Sequence, residues 1–233
     1  MNELESFAIT KRWKPIHPDR IQVYTFGTPN GVKVPIALEE LGLKYEKHHV
    51  PLNESGVLTQ EFLSLNPNNK IPAIIDPEGP VGSPIGIFES GAILLYLADK
   101  AGRLAGQTET ERYSVMQWLM FQIGSVGPMF GQFGYIHKAA GKEIEEPRRR
   151  GRYLEEMKRL LRVINGQLER KSWLAGDYSI ADIAIGPWLE TIGRFYKAEK
   201  ETGYVEFENV VRYVDRFKER PAVAKGWSVA LAN

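Results

Sequence analysis

The chain has 233 residues, 43% of them hydrophobic and 25% charged, which are the proportions of a globular chain and argue against disorder. At about 150 residues per domain, that length makes one large or two small domains, with a core that needs no covalent staples. Thirty Lys and Arg against 29 Asp and Glu leave a net charge of +1, which excludes a nucleic-acid binder driven by bulk charge; the lack of any cysteine excludes disulfides, Cys-ligated metal centres and a cysteine nucleophile.

The first 20 residues are charged and carry prolines, with Glu3 and Glu5 early and no apolar stretch of the kind that opens a secretory signal. Nowhere do 18 apolar residues run together, so no membrane span is expected and the default is a soluble, cytoplasmic protein. Residues 1–20 read as an extension packed on the outside, with Lys11, Arg12 and Lys14 on a solvated arm.

Residues 21–26, IQVYTF, predict a strand ending at Gly27. From Gly31 to Leu41 the apolar residues Val32, Val34, Ile36, Ala37, Leu38 and Leu41 predict an amphipathic helix closed by Gly42. Pro35 falls in or just after its first turn, where the missing N–H matters little. Residues 44–49 predict a second strand, completing a tight right-handed βαβ unit. A short helix over 59–65, strands over 71–76 and 84–88, and a helix over 89–100 follow. Residues 21–102 thus predict an α/β domain, β-α-β-α-β-β-α, with a four-stranded mixed sheet.

Residues 103–109 are small and polar and read as a linker. Beyond them no strand signal occurs, and residues 110–233 predict an all-helical domain. Residues 110–134 are helical in pattern and apolar on nearly every side. Residues 147–170 carry a core stripe of Leu154, Met157, Leu160, Leu161, Ile164 and Leu168, and further helices cover 180–198 and 207–218. Ser179 and Asp182 are spaced as a capping box. Gly124, Gly127, Gly131 and Gly134 share one helical face, which fits a close backbone approach, a break at Pro128, or both. Trp118, Met129, Phe130, Phe133 and Tyr135 fit either an apolar pocket for a second substrate or plain core packing. His137 and the pair His48/His49 lack carboxylates at ligand spacing, so no metal is expected.

Three short motifs carry chemistry. Thr28-Pro29-Asn30-Gly31 stands between the first strand and first helix, where unpaired N–H groups and a partial positive charge favour an anion such as a thiolate. Thr28 and Asn30 can donate to it; the alternative is a simple turn with Asn30 as N-cap. In Asn69-Lys70-Ile71-Pro72-Ala73, a proline opens a strand, and a cis bond there would leave the Ile71 backbone to pair with an extended peptide. The alternative is an edge-strand proline without a ligand. Glu89-Ser90 opens the third helix, where Ser90 can bond a ligand carboxylate and Glu89 an ammonium, or both serve only as cap and surface charge.

Together, TPN before the first helix, IPA at the third strand and ES before the third helix resemble the glutathione transferases. FESGAILLYLADK and WLAGDYSIADIAIGPW extend the resemblance, which covers about residues 21–228. TPNG, SLNPNNKIPAIID and SVGPMFGQF resemble the bacterial Nu class, related to the fungal nitrogen-regulator proteins. The resemblance implies a thioredoxin-like first domain that holds glutathione. Thr28 and Asn30 address its sulfur, Lys70 its glycine carboxylate, Ile71 its cysteinyl backbone, and Glu89 and Ser90 its γ-glutamyl end. Arg152, in RRRGRYLEE, matches an arginine that the class uses near glutathione, inside a stretch where Glu155 and Arg159 can pair.

One departure is Val57, where similar proteins often carry Gln. Tyr24 is a rival for the sulfur. With no cysteine, disulfide exchange needs two glutathione molecules or one oxidised glutathione. The implied activity is disulfide-bond reduction with weaker transfer to electrophiles, in a homodimer with no nucleic-acid or membrane partner. The alternatives are a plain conjugating or peroxide-reducing enzyme, and a non-catalytic module of the same fold.

Overall fold

The computed structural model describes residues 3–138 and 147–232, which fall into two compact units: one up to Arg103 together with the segment from Pro221, the other Leu104–Arg220. In the first unit β1 (Ile21–Thr25), α1 (Lys33–Leu41), β2 (Tyr45–His49), α2 (Gln60–Leu65), β3 (Ala73–Asp76), β4 (Ile85–Phe88) and α3 (Ser90–Ala101) follow in chain order. The strands lie in the order β2-β1-β3-β4; β2 runs parallel to β1, while β3 and β4 each run antiparallel to their neighbour. This is the thioredoxin-like arrangement. One row of the pairing sets Tyr24 beside Ala73 and Ala73 beside Phe88.

The N-terminal arm departs from expectation. Residues 3–11 coil into two 3-10 turns, and Leu4 and Ile9 are buried in one cluster with Tyr24, Val50, Phe62, Ile71 and Ile75. Leu4, Phe7 and Ile9 give this charged segment an apolar edge, and it closes a face of the core rather than lying outside it. Trp13 anchors it by donating to the His49 carbonyl at 3.0 Å. Lys11, Arg12 and Lys14 are exposed as expected.

The C-terminal helix is the second departure. Residues Pro221–Leu231 form a helix that packs on α1 within the first unit rather than with the helices before it. Gly226 permits this: a Cβ there would lie 2.5 Å from Ile36 Cγ1 and 2.7 Å from its backbone nitrogen. Neither this helix nor the short turn Glu199–Thr202 is among the helices that the sequence pattern predicts.

The second unit is helical. α4 (Glu109–Phe121) runs into a π-turn at Gln122–Val126 and continues as α5 (Gly127–Lys138). The expected break at Pro128 is therefore a local widening: proline sits in the opening turn of α5, where it needs no N–H partner. Gly134 meets the Tyr196 ring, since a Cβ there would approach it to 2.3 Å. α6 (Pro147–Gln167) buries Met157, Leu160, Leu161 and Ile164 as patterned. Arg159 pairs with Glu156 at 2.7 Å, not with Glu155, which takes Lys158 at 3.4 Å; three-residue and four-residue spacings compete on one helical face. α7 (Ile180–Thr191) and α8 (Glu208–Lys218) complete a core that includes Phe130, Phe133, Trp188 and Tyr213. Of the aromatic candidates, Phe130 and Phe133 are core, Trp118 packs against it, and Tyr135 is half exposed.

The capping box forms. Asp182 accepts from Ser179 N–H at 2.9 Å, Leu174 N–H at 3.1 Å and Tyr213 Oη at 3.1 Å. Burial nevertheless pushes its carboxyl up from 3.8 to about 6. The folded chain therefore holds this proton more tightly than the unfolded one, and the stability it contributes is present below pH 3.8 and lost as the pH rises through 6. The melting temperature of the native chain is expected to fall relative to that of Asp182→Asn between about pH 4 and about pH 7, and parallel curves would contradict it.

Candidate functional site

The pairing row through Tyr24, Ala73 and Phe88 brings the three motifs to one end of the sheet. The loop to α1 leaves after Thr25, Ile71 and Pro72 arrive just before Ala73, and Glu89 and Ser90 follow Phe88.

The loop is tightly wound. Thr28 Oγ1 accepts from Gly31 N–H at 3.0 Å, Val32 N–H bonds the Thr28 carbonyl at 3.0 Å, and buried Thr25 Oγ1 donates to the Gly31 carbonyl at 2.9 Å. Only glycine fits at position 31, because a Cβ would stand 1.9 Å from the Phe26 carbonyl oxygen. Thr28 and Asn30 are half-buried at the mouth of α1. The N-cap position belongs to Val32, which makes no side-chain cap bond, so Asn30 is not the cap that one reading of TPNG allowed. With its oxygen engaged by Gly31, the Thr28 hydroxyl keeps a proton to donate.

Tyr24 is unsuited to the sulfur. It is fully buried, its ring stacks on His48 at 4.8 Å, and its hydroxyl is enclosed without a hydrogen-bond partner. Burial, aided by Glu46, raises its pKa further.

The Ile71–Pro72 peptide is cis, and strand pairing begins only at Ala73. Exposed Lys70 precedes it. Asn66, 1% exposed, organises this turn: its side-chain amide donates to the Lys70 carbonyl, and its oxygen accepts from Asn68 N–H at 2.9 Å. Asn68 in turn reaches Glu89 at 3.4 Å. Glu89 has φ +72°, a left-handed value that costs a non-glycine residue about 1–3 kcal/mol and is typical of binding sites. Val57 is buried in the apolar cluster and its N–H bonds the Pro51 carbonyl, so a Gln-like side-chain contact is absent there.

Ser90 is buried at the first turn of α3, and its hydroxyl accepts from Lys33 Nζ at 3.3 Å. Lys33 is 0% exposed. Burial drives its pKa well below 10.5, with Glu89 pulling the other way. Lys33, Asn66, Asn68 and Thr25 are structural parts of this site that carry no motif in the sequence. For Lys33 a signal existed: it stands three and four residues before Ile36 and Ala37, on the inward stripe of α1.

The six first-unit candidates thus gather around one end of the sheet. Arg152 belongs to the second unit, where it lines an open cavity of about 720 Å³ with Met129, Tyr153, Glu155, Glu156, Arg159 and Arg162. Among the described residues, no group of three or more His, Cys, Asp or Glu is placed to hold a metal ion, and no helix is long and apolar enough to cross a membrane.

Comparison with known proteins adds chemistry to this geometry. Residues 28–100 match the glutathione S-transferase N-terminal domain and residues 129–221 its C-terminal domain. The disulfide-bond oxidoreductase YfcG of Escherichia coli is 41% identical over 208 residues, covering 88% of this chain and 93% of that protein. A Pseudomonas putida glutathione transferase, solved with one glutathione disulfide per subunit, is 52% identical with a TM-score of 0.95, over 96% of this chain and 97% of that one. A Burkholderia graminis glutathione transferase, solved with two glutathione molecules per subunit, is 55% identical with a TM-score of 0.95, over 98% and 95%.

The turn held by Asn66 generates a stability prediction. Asn66→Ala strands the Lys70 carbonyl and the Asn68 N–H, and should lower unfolding free energy by about 1–3 kcal/mol. Denaturant titration measures this, and a midpoint unchanged from the native chain would show that the turn does not depend on Asn66.

Proposed function

The chain belongs to the glutathione transferase family, and from that premise we propose that it binds glutathione in the first unit and uses the thiolate to reduce disulfide bonds, with weaker transfer to electrophiles. One observation carries the proposal: the TPNG loop, the Lys70–Pro72 segment and the Glu89–Ser90 step meet at one end of the sheet in a chain that has no cysteine of its own. Every reacting sulfur on the enzyme side must then come from bound glutathione.

The residues fit that ligand. Lys70 offers a solvent-facing ammonium for the glycine carboxylate. Ile71, outside the strand ladder, offers backbone groups to the cysteinyl unit. Ser90, at the N-terminus of α3, suits the γ-glutamyl carboxylate, and Glu89 its ammonium. The sulfur then falls to the mouth of α1, where Thr28 and Asn30 donate to the thiolate and the helix end lowers its pKa. The thiolate attacks one sulfur of the substrate disulfide, forming a mixed disulfide and releasing the other half as thiolate. A second glutathione attacks the mixed disulfide, giving oxidised glutathione and the second reduced thiol. Solved relatives that hold two glutathione molecules, or one glutathione disulfide, support both stages. Arg152, a two-fold dimer and a cytoplasmic setting belong to the proposal as features that the family implies.

Steady-state reduction of 2-hydroxyethyl disulfide with glutathione tests the reaction. Turnover is expected, and Asn30→Ala should lower kcat/KM by about 10- to 100-fold, the worth of one hydrogen bond to a charged group. Unchanged turnover in that variant would remove Asn30 from the thiolate's support. No disulfide turnover alongside activity on aryl halides would leave a conjugating enzyme, and glutathione binding without turnover would leave a non-catalytic module.

A further inference from the structure

The other end of the first unit's sheet holds a cleft that the glutathione reading does not use. It has a volume of about 330 Å³ and lies where β1 and β2 begin and α1 ends, lined by Arg20, Glu39, Lys44, Tyr45 and Lys225 among others. The length of β1, about 13 Å, separates it from the Thr25 end. Its charges do not balance. Glu39 is the one carboxylate among the described lining residues, and it is already engaged: it accepts from Tyr45 Oη at 2.7 Å and pairs with Lys225 Nζ at 2.8 Å. Arg20 and Lys44 remain. Among the described residues neither side chain makes a hydrogen bond or an ion pair, and Arg20 Nε is enclosed without a partner.

We propose that this cleft binds a phosphate group, gripped by Arg20 and Lys44. The backbone holds the two cations together. Ile21 N–H, next to Arg20, donates to the Lys44 carbonyl at 3.2 Å, so both stand just before the paired residues Ile21 and Tyr45 of neighbouring strands. The side-chain amide of fully buried Gln22 fixes the turn by donating to the Arg20 carbonyl at 2.7 Å. Like charges set side by side on adjacent strands repel, and an anion between them removes that cost. Three cations against one carboxylate leave the lining with a charge of +2. A phosphate monoester carries about two negative charges at neutral pH, whereas a carboxylate would leave one cation unmatched. Phosphate oxygens also suit a guanidinium fork beside an ammonium. The end of α1 does not oppose the anion with open carbonyls: those of Leu38 and Glu39 accept from Leu43 and Gly42 N–H at 3.0 and 3.3 Å. The proposal goes beyond the glutathione reading and does not depend on it.

An NMR titration of backbone amides in the full chain tests this, at constant ionic strength, with and without saturating glutathione. The probes are inorganic phosphate, glycerol 3-phosphate and acetate. Phosphate should shift the amides of Ile21, Lys44 and Tyr45 in a curve that saturates, with half-saturation below about 10 mM. Acetate should bind at least about tenfold more weakly, and glutathione should leave the phosphate curve unchanged. Glycerol 3-phosphate binding tighter than inorganic phosphate assigns an ester on a small molecule, and equal binding assigns the free ion. Arg20→Gln should weaken phosphate by about tenfold or more. Lys44→Gln should do the same at an exposed position where the fold is not at stake, and should leave disulfide turnover as it was. Shifts that spread over the surface without saturating, or acetate binding equal to phosphate, would overturn the proposal. So would shifts centred on residues 28–31 that glutathione abolishes, or full phosphate affinity in Lys44→Gln.

Discussion

Cross-strand pairing of Tyr24 with Ala73, and of Ala73 with Phe88, is the constraint on which the first unit's chemistry depends. A slip of one residue would invert every side chain of a strand and expose its core face. Tyr24, Ala73, Ile74 and Ile75 are all fully buried, so such a slip is heavily penalised. With the row fixed, three chain segments end at one place: the loop wound around Gly31, the Lys70–Pro72 approach to β3, and the Glu89–Ser90 step into α3. No one of them makes a ligand site. Their meeting supplies a cation, an anion, peptide backbone and two helix ends within one unit.

Electrostatics then give that meeting a direction. The first turns of α1 and α3 both favour anions. Lys33, the first residue of α1, is fully buried and bonded to Ser90, and burial drives its pKa well below 10.5. Glu89, held at positive φ and touched by Asn68, is the acidic counterweight on the solvent side. This end of the sheet therefore sets groups of both signs beside two helix ends.

Much of this was legible in the sequence because local rules and tertiary packing agreed. The strands of the mixed sheet, the helix stripe from Met157 to Leu168 and the Ser179–Asp182 capping box follow from periodicity and spacing. The three motifs were visible as turn and helix-start signals, though what joins them is the strand register, which no local signal encodes. The misses have a common cause. Lys33, the N-terminal arm and the helix from Pro221 were each judged by local polarity or position in the chain. Leu4 and Ile9 of the arm are core, Lys33 is fully buried, and Gly226 lets the last helix press against Ile36 of α1. Each is decided by a partner far away in sequence.

The lack of cysteine turns from an exclusion into a mechanism. A chain without thiols can take part in disulfide chemistry only through a sulfur it borrows, and its own contribution is to hold that sulfur as the anion. The direct measurement is a titration of the bound thiol in the native protein, following thiolate absorbance of the glutathione complex against pH. The account predicts a pKa for bound glutathione at least one unit below the ordinary thiol value of about 8.5, carried by Thr28, Asn30 and the mouth of α1. A bound thiol that titrates at its free-solution value would contradict it.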